Sequence, residues 1–182
     1  MKANDTSSLR FGIVSRELTQ AHHGGTYRIV ASLLETANRF AEHDSSISFS
    51  FIHNSPQHCG QFPRLRETFV NVRNKWLFDF LYVPLWARRE RLDAVFFPKN
   101  VIPFGVRGAR YVLMLDLGYF FPRLGAYQPL DRMLMTTAMR LSVRRADHVF
   151  AISEHTRGDV INLLGVQKSH VSTMQLAASK EY

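Results

Sequence analysis

The hydrophobic and polar positions along the chain form two patterns that alternate. Short, nearly continuous apolar runs are typical of buried parallel strands, and apolar residues spaced by three and four are typical of amphipathic helices. The first apolar run predicts a strand at Leu9 to Val14, and a helical stripe predicts a helix from about Thr26 towards Glu42. Further strands are predicted at 47–53, 68–72, 93–97, 110–115, 147–152 and 170–174.

Three more helices are predicted between these strands. A helix rich in aromatic residues at 75–91 contains Pro84, which should kink it or end it. Its aromatic surface has two interpretations, core packing or a face for an apolar acceptor or a membrane. A second helix runs from Pro129 to about Arg145, and Ser153 is expected to cap a third, which Gly165 ends. The inner stripe of the second is expected to be Leu130, Met133, Leu134, Thr137, Ala138 and Leu141.

This alternation predicts an α/β fold over residues 1–182, a single domain with a Rossmann-like, mostly parallel sheet and helices on both faces. Ligands of such sheets gather beyond the carboxyl ends of the strands. We therefore expect the loops that follow the strands to form one rim. The candidate residues on this rim are Gly24, Gly25, Lys99, Asn100, Asp116, Ser153 and Glu154.

The glycine pair after the first strand is a candidate phosphate-binding loop. Glycine lets the backbone turn sharply and approach an oxygen-rich ligand, and the helix N-terminus behind Gly24 and Gly25 carries partial positive charge. The loop matches neither G-x-G-x-x-G nor G-x-x-x-x-G-K-[ST]. The alternative interpretation is that the two glycines only ease entry into the helix.

Composition narrows the class of protein. The formal net charge is +8, but the basic residues are dispersed and accompany no nucleic-acid motif, so an anionic membrane surface is a better expected partner than nucleic acid. A single cysteine, Cys59, suits a reducing compartment. No apolar run is long enough to span a bilayer, and Met1 to Arg10 lacks a signal-peptide core. We expect a cytoplasmic protein, with a peripheral position on the inner membrane face as an alternative.

Candidate chemistry is sparse. His22 and His23 are candidates for contacting an acceptor or phosphate, or are simply a solvated loop. Asp116 is a candidate catalytic base or orienter of an acceptor hydroxyl, or a cap for its own loop amides. Ser153 lacks a nucleophile elbow, so helix capping explains it. No metal site and no cofactor are expected, because no group of ligands shows metal-binding spacing.

Three segments in order resemble the amino-terminal domain of GT-B glycosyltransferases of the family 4 type. They are Asp93-Ala-Val-Phe-Phe-Pro, Tyr111-Val-Leu-Met-Leu-Asp-Leu and Arg145-Ala-Asp-His-Val-Phe-Ala-Ile-Ser-Glu-His-Thr-Arg. The opening glycine pair fits the same pattern. The resemblance runs from about Arg10 to Leu176.

The resemblance implies a retaining glycosyltransferase whose amino-terminal domain supplies most of the acceptor site. Gly24 and Gly25 match the loop that approaches the phosphates of a nucleotide-sugar donor, and Ser153, Glu154 and Thr156 match a Ser-Glu-x-[Ser/Thr] signature. It also implies an acceptor that is a glycan or lipid-linked, and a carboxyl-terminal donor-binding domain, in cis or in trans. That domain's Glu-x7-Glu motif is absent from the chain, so the isolated chain is expected to be inactive.

One position departs from the family pattern. Many members have His-Asp at the end of the strand where this chain has Leu115 and Asp116. Leucine cannot donate a hydrogen bond. Either His22, His23 or Lys99 replaces the histidine, or the chain is a non-catalytic module that binds a glycan, a lipid or a partner protein, or one subunit of a split enzyme.

Overall fold

The computed structural model describes residues 8–19, 24–124 and 127–175. In that part of the chain seven strands form one parallel sheet, so the predicted α/β, Rossmann-like fold is confirmed. The strands are β1 (Leu9–Val14), β2 (Ile47–His53), β3 (Arg66–Phe69), β4 (Ala94–Phe97), β5 (Ala109–Met114), β6 (His148–Ala151) and β7 (Val171–Thr173).

The helices lie between the strands along the chain, as βαβ units require. They are α1 (Gly25–His43), α2 (Lys75–Leu77), α3 (Val83–Arg89), α4 (Pro129–Arg145) and α5 (Glu154–Leu164), with a π-helical segment, Phe78–Tyr82, joining α2 to α3. Short 3-10 turns occupy Arg16–Thr19, Pro56–His58, Gly118–Phe120, Pro122–Leu124 and Lys168–His170.

The order of strands across the sheet is β3-β2-β1-β4-β5-β6-β7. The chain adds strands outward from β1 to β3, returns to place β4 beside β1, and then adds strands in the opposite direction. The order therefore reverses between β1 and β4, where Phe11 lies opposite Ala94. Reversals of this kind are the usual ligand sites of open parallel sheets.

The chain divides into two compact units. The first contains the chain up to Phe96 together with Pro103–Ala109, and the second contains Phe97–Ile102 and the chain from Arg110 onward. The sequence predicted that residues 1–182 form a single domain, and this stays a prediction.

Helices cover both faces of the sheet within the first unit. Val30 and Leu34 of α1 join Ile13 and Phe51 in a hydrophobic cluster on one face. The side chain of Trp86, from α3, covers the other face, because a Cβ on Gly12 would lie 2.7 Å from its ring. Neighbouring strand residues point to opposite faces, so Gly12 and Ile13 mark the two layers.

The helix α4, in the second unit, has the predicted bounds but buries a different face. Leu130, Met133 and Leu134 are 62%, 58% and 48% exposed, so the predicted inner stripe is wrong. The buried residues are Met139, Ser142 and Val143. The Ser142 hydroxyl donates to the Ala138 carbonyl and accepts from the Ile102 N–H at 2.8 Å. A polar residue thus packs inward because its hydroxyl is fully bonded, which the hydrophobic pattern does not reveal.

Two other predictions need adjustment. The third strand lies at Arg66–Phe69 rather than at 68–72. The predicted helix at 75–91 is interrupted by the π-helical segment Phe78–Tyr82 just before Pro84. Of its aromatic residues, Phe78 is fully buried, as core packing requires, whereas Trp76 is 52% exposed. The use of the exposed residues as a face for an acceptor or a membrane stays a prediction.

Among the described residues, no helix combines the length and the apolar character needed to cross a membrane.

Candidate functional site

The N-terminus of α1 in the first unit carries the predicted glycine pair. Gly24 is the cap residue and Gly25 the first helical residue, so the cap supplies no side chain to bond the helix N–H groups. The first turn also contains no acidic residue. A 19-residue helix therefore presents its positive end without a carboxylate or hydroxyl of its own cap to neutralise it. This arrangement suits an anionic ligand such as a phosphate.

A charged network lies just after β1. The guanidinium of Arg16 donates to Asp79 Oδ1 at 3.0 Å and contacts Glu17 Oε1 at 3.3 Å. Glu17 is buried, and Asp79 belongs to the π-helical segment. Burial raises the pKa of the Asp79 carboxyl, although the positive charge of Arg16 opposes the shift. Two carboxylates thus share one arginine at the carboxyl end of the first strand.

The predicted residues His22 and His23 lie outside the described residues. Their assignment to an acceptor or phosphate stays a prediction, and so does their proposed role as substitutes for the missing histidine.

Asn100, in the second unit, has a structural task that explains its burial. Its backbone N–H donates to the Leu113 carbonyl at 2.9 Å, and its side-chain Oδ1 accepts from the Leu115 N–H at 2.9 Å. Its φ of 46° lies in the left-handed region, where asparagine is one of the tolerated residues. The Asn100 side-chain oxygen is therefore occupied in joining the loop after β4 to the end of β5. Lys99, beside it, is exposed.

Asp116 lies at the start of a small polar and aromatic cluster after β5. Its Oδ1 accepts from the Gly118 N–H at 2.9 Å, which is the loop-capping role considered for it. The rings of Tyr119 and Tyr127 stack with centroids 3.8 Å apart. Burial raises the pKa of Tyr119, with Tyr127 and Asp116 contributing. We call Asp116, Gly118, Tyr119 and Tyr127 the tyrosine cluster.

Ser153 and Glu154 serve the local structure of α5. The Ser153 hydroxyl accepts from the Thr156 N–H at 3.1 Å, so the predicted helix cap is confirmed. The Glu154 carboxylate accepts from the Thr173 hydroxyl, which lowers the pKa of Glu154, and Arg157 lies 3.4 Å away. Gly165 ends the helix at φ 69°, as predicted.

The candidate residues therefore fall into separate groups. Gly24 and Gly25 lie in the first unit, and Asn100, Asp116, Ser153 and Glu154 lie in the second. Within the second unit, Asn100 is bonded directly to Leu115, the residue after β5 and three positions before Gly118. The rim that would join residues of both units stays a prediction.

Sequence reasoning missed several chemically important residues. Asp79 lies in a largely apolar predicted helix, where a single carboxylate does not indicate a site. Tyr119 and Tyr127 were visible only as aromatic residues in a long loop. Arg16 and Glu17 offered the clearest signal, since charged residues directly after a buried strand commonly lie at a functional edge.

A further cluster meets the geometric requirement for holding a metal ion. Ligand atoms of His53, Cys59 and Glu67 lie within 4.8 Å of one another. The expectation of no metal site depended on spacing along the sequence, and this cluster lies in the first unit at positions whose spacing matches no common metal motif.

Comparison of the chain with protein-family models and with curated proteins finds no match in either. The function must therefore be inferred from the fold, the residues at the strand ends and the resemblance of the sequence segments.

Proposed function

We propose that the chain is the acceptor-side, amino-terminal domain of a GT-B glycosyltransferase of the family 4 type. It would take part in transferring a sugar, with retention, from a nucleotide-sugar to a glycan or lipid-linked acceptor. The observation that carries the proposal is the glycine-capped N-terminus of α1, the first α-helix after β1, a strand that lies at the reversal of strand order. The ordered segments quoted above add to it.

The phosphate part of the proposal depends on charge and access. The backbone at Gly25 is open, because a Cβ placed there would meet nothing within 4 Å. Among the described residues, a phosphate oxygen that approached the first turn from the side of this Cβ position would displace no side chain. The positive end of the helix favours that approach.

The acceptor part of the proposal depends on the tyrosine cluster. Stacked aromatic rings offer a flat apolar surface to the C–H face of a sugar, and phenol hydroxyls offer hydrogen bonds to its edge. Tyr127 is 38% exposed, and Asp116 is exposed beside it. Asp116 would orient an acceptor hydroxyl there through its carboxylate, whose Oδ1 accepts from the Gly118 N–H.

The surface formed by α2 and the π-helical segment suits an anionic membrane. Trp76, Leu77, Phe80 and Leu81 are all more than two-fifths exposed, and exposed Lys75 and Arg88 lie on the same helical stretch. Apolar side chains beside cations are the features of interfacial helices. A lipid-linked acceptor would give this surface its use, on the inner face of a membrane.

Binding and transfer measurements on the same protein test the proposal. Saturation-transfer NMR would use the 182-residue chain with UDP-glucose, GDP-mannose and an alkyl glucoside, and a transfer assay would use the same mixtures. We expect the glucoside to bind, a nucleotide-sugar to bind weakly through its phosphates, and no sugar to be transferred by the chain alone. Robust transfer by this chain would contradict the half-enzyme proposal, and failure of every compound to bind would contradict the function.

A second candidate function is a non-catalytic binding module. It is favoured by Leu115, which offers no hydrogen-bonding side chain, and by the local bonding of Asn100, Ser153 and Glu154. Glucoside binding with no response to either nucleotide-sugar would support the module over the glycosyltransferase.

A further inference from the structure

His53 and Glu67 lie together on one face of the sheet in the first unit. His53 is the last residue of β2, and Glu67 is on β3 opposite Phe51. The Nε2 atom of His53 is 2.7 Å from Glu67 Oε1. The His53 side chain is fully buried, whereas the Glu67 side chain is 25% exposed.

The turn between the two strands brings Cys59 to the same place. Gly60 adopts φ 76°, a conformation that favours glycine, and its N–H donates to Glu67 Oε2 at 2.9 Å. This bond fastens the turn to one oxygen of the carboxylate and leaves the other directed towards His53. Cys59 precedes Gly60, is exposed, and brings its sulfur within 4.8 Å of both other ligand atoms.

We propose that His53, Cys59 and Glu67 form a zinc-binding site with three protein ligands and a fourth position open to solvent. Imidazole nitrogen, thiolate sulfur and carboxylate oxygen are all common zinc ligands, with bond lengths of about 2.0–2.3 Å. Tetrahedral bonds of that length separate ligand atoms by about 3.3–3.7 Å. The present separations, from 2.7 Å to at most 4.8 Å, bracket that range, so small side-chain rotations would suffice.

The surroundings orient the ligands to different degrees. The Gly60 N–H holds Glu67, which is the type of outer hydrogen bond that strengthens metal sites. The His53 ring is held by stacking on Phe51, with centroids 5.2 Å apart, and by Phe69. Within the described part of the chain, His53 Nδ1 has no hydrogen-bond partner. Since such a partner usually raises affinity about 10–100-fold, we expect binding of moderate strength.

The alternative is that His53 and Glu67 form only a structural hydrogen bond and Cys59 is a chance neighbour. Substitution of Cys59 discriminates between the two interpretations, because a purely structural hydrogen bond between His53 and Glu67 does not require the Cys59 thiolate. The chain contains no other cysteine, so any thiolate-to-metal bond must come from this site.

Titration of the reduced chain with Zn²⁺ by calorimetry, and with Co²⁺ by absorption spectroscopy, tests the proposal. We expect one ion per chain and a thiolate-to-cobalt charge-transfer band. Cys59→Ser should abolish the band and weaken Zn²⁺ binding more than about 100-fold, because removing a ligand exceeds the effect of an outer partner. Glu67→Gln should also weaken binding more than about tenfold.

Matched controls remove the main ambiguities. Glu42→Gln changes an exposed carboxylate that pairs with Arg64, and His155→Gln changes an imidazole that is 88% exposed, so neither should alter binding. Thermal unfolding without metal establishes that Cys59→Ser and Glu67→Gln are folded. Absence of binding by the unmodified chain, or binding unchanged in either ligand variant, would overturn the site. Neither result bears on the glycosyltransferase proposal.

Discussion

The backbone N–H of Leu115 donates to the side chain of Asn100 across a distance of 2.9 Å. The two residues are 15 positions apart, and the bond joins the loop after β4 to the first residue after β5. Asn100 makes this contact from a left-handed backbone conformation with φ 46°. The hydrogen bond and the backbone conformation can be separated by substitution.

Asn100→Gly should destabilise the fold by about 1–2 kcal/mol, because the Leu115 N–H loses its partner while glycine retains the backbone conformation. Asn100→Ala should cost about 1 kcal/mol more, since alanine disfavours the left-handed region. Urea unfolding measures both. Asn162→Ala, at an exposed position of α5, is the control and should stay within about 0.5 kcal/mol. Equal losses for glycine and alanine would show that the conformation at position 100 carries no strain.

Three glycines provide a graded test of backbone constraint. A Cβ on Gly108 would lie 2.5 Å from the Asp93 carbonyl oxygen, at φ 81°. Gly165→Ala meets no neighbour but has φ 69°, so it should cost about 1–2 kcal/mol, and Gly108→Ala should cost more. Gly158→Ala has open space within α5 and should be neutral or stabilising by about 1 kcal/mol. Thermal and urea unfolding would check the order, and a tolerated Gly108→Ala would contradict this packing.

Asp79→Asn should gain stability relative to the unmodified protein as pH rises. Burial raises the folded-state pKa of Asp79 above the ordinary value of an aspartate, about 3.9. The folded protein therefore holds this proton more tightly than the unfolded chain, and its stability falls as pH rises from about 3.9 through the folded-state pKa. Asparagine does not titrate, so its variant lacks that loss. Urea unfolding at about pH 3.5 and about pH 7 measures the difference.

Asp131→Asn, which removes an exposed carboxylate from the first turn of α4, controls for the loss of one negative charge. If Asp79→Asn is less stable than the unmodified protein at neutral pH, the bond between Asp79 and Arg16 outweighs the cost of burying the carboxylate.

Gly25→Glu should abolish pyrophosphate binding while leaving the fold intact. Its side chain would enter open space, and its charge in the first helical turn should stabilise α1 by about 0.3–1 kcal/mol. Gly25→Gln has the same shape without the charge, so it should retain more of the binding. Titration of pyrophosphate followed by NMR of the α1 amides measures the effect. Equal binding by all three proteins would place the anion elsewhere.

The double variant Trp76→Ser, Leu81→Ser should weaken binding to anionic vesicles about tenfold or more, because two exposed apolar side chains no longer enter the interface. Leu130→Ser removes an apolar residue that is 62% exposed but lies on α4, so it is the matched control. Sedimentation with vesicles of anionic and of neutral lipid measures the partitioning. An equal effect of Leu130→Ser, or no preference for anionic lipid, would remove the membrane surface from the proposal.

The elements of the fold were predictable because their signals are local. The apolar runs at β1 and β4 and the alternation of apolar and polar residues at β2 predicted strands, and Pro129, Ser153 and Gly165 marked helix ends through their own backbone preferences. The bounds of β2 and α4 agree with the prediction for this reason. The buried face of α4 was not predictable, because Ser142 is accommodated by an N–H from Ile102, 40 positions away.

The candidate sites divide in the same way. Sequence alone indicated the glycine entry to α1 and the loop after β5, since each lies in the segment that follows a predicted strand. Tertiary structure alone decided that Arg16 meets Asp79, that Asn100 holds Leu115, and that His53, Cys59 and Glu67 converge. These contacts depend on which strands and turns become neighbours, and the packing of the sheet determines those neighbours. Local propensities depend on consecutive residues. A long-range contact contributes free energy only after folding has brought its two residues together.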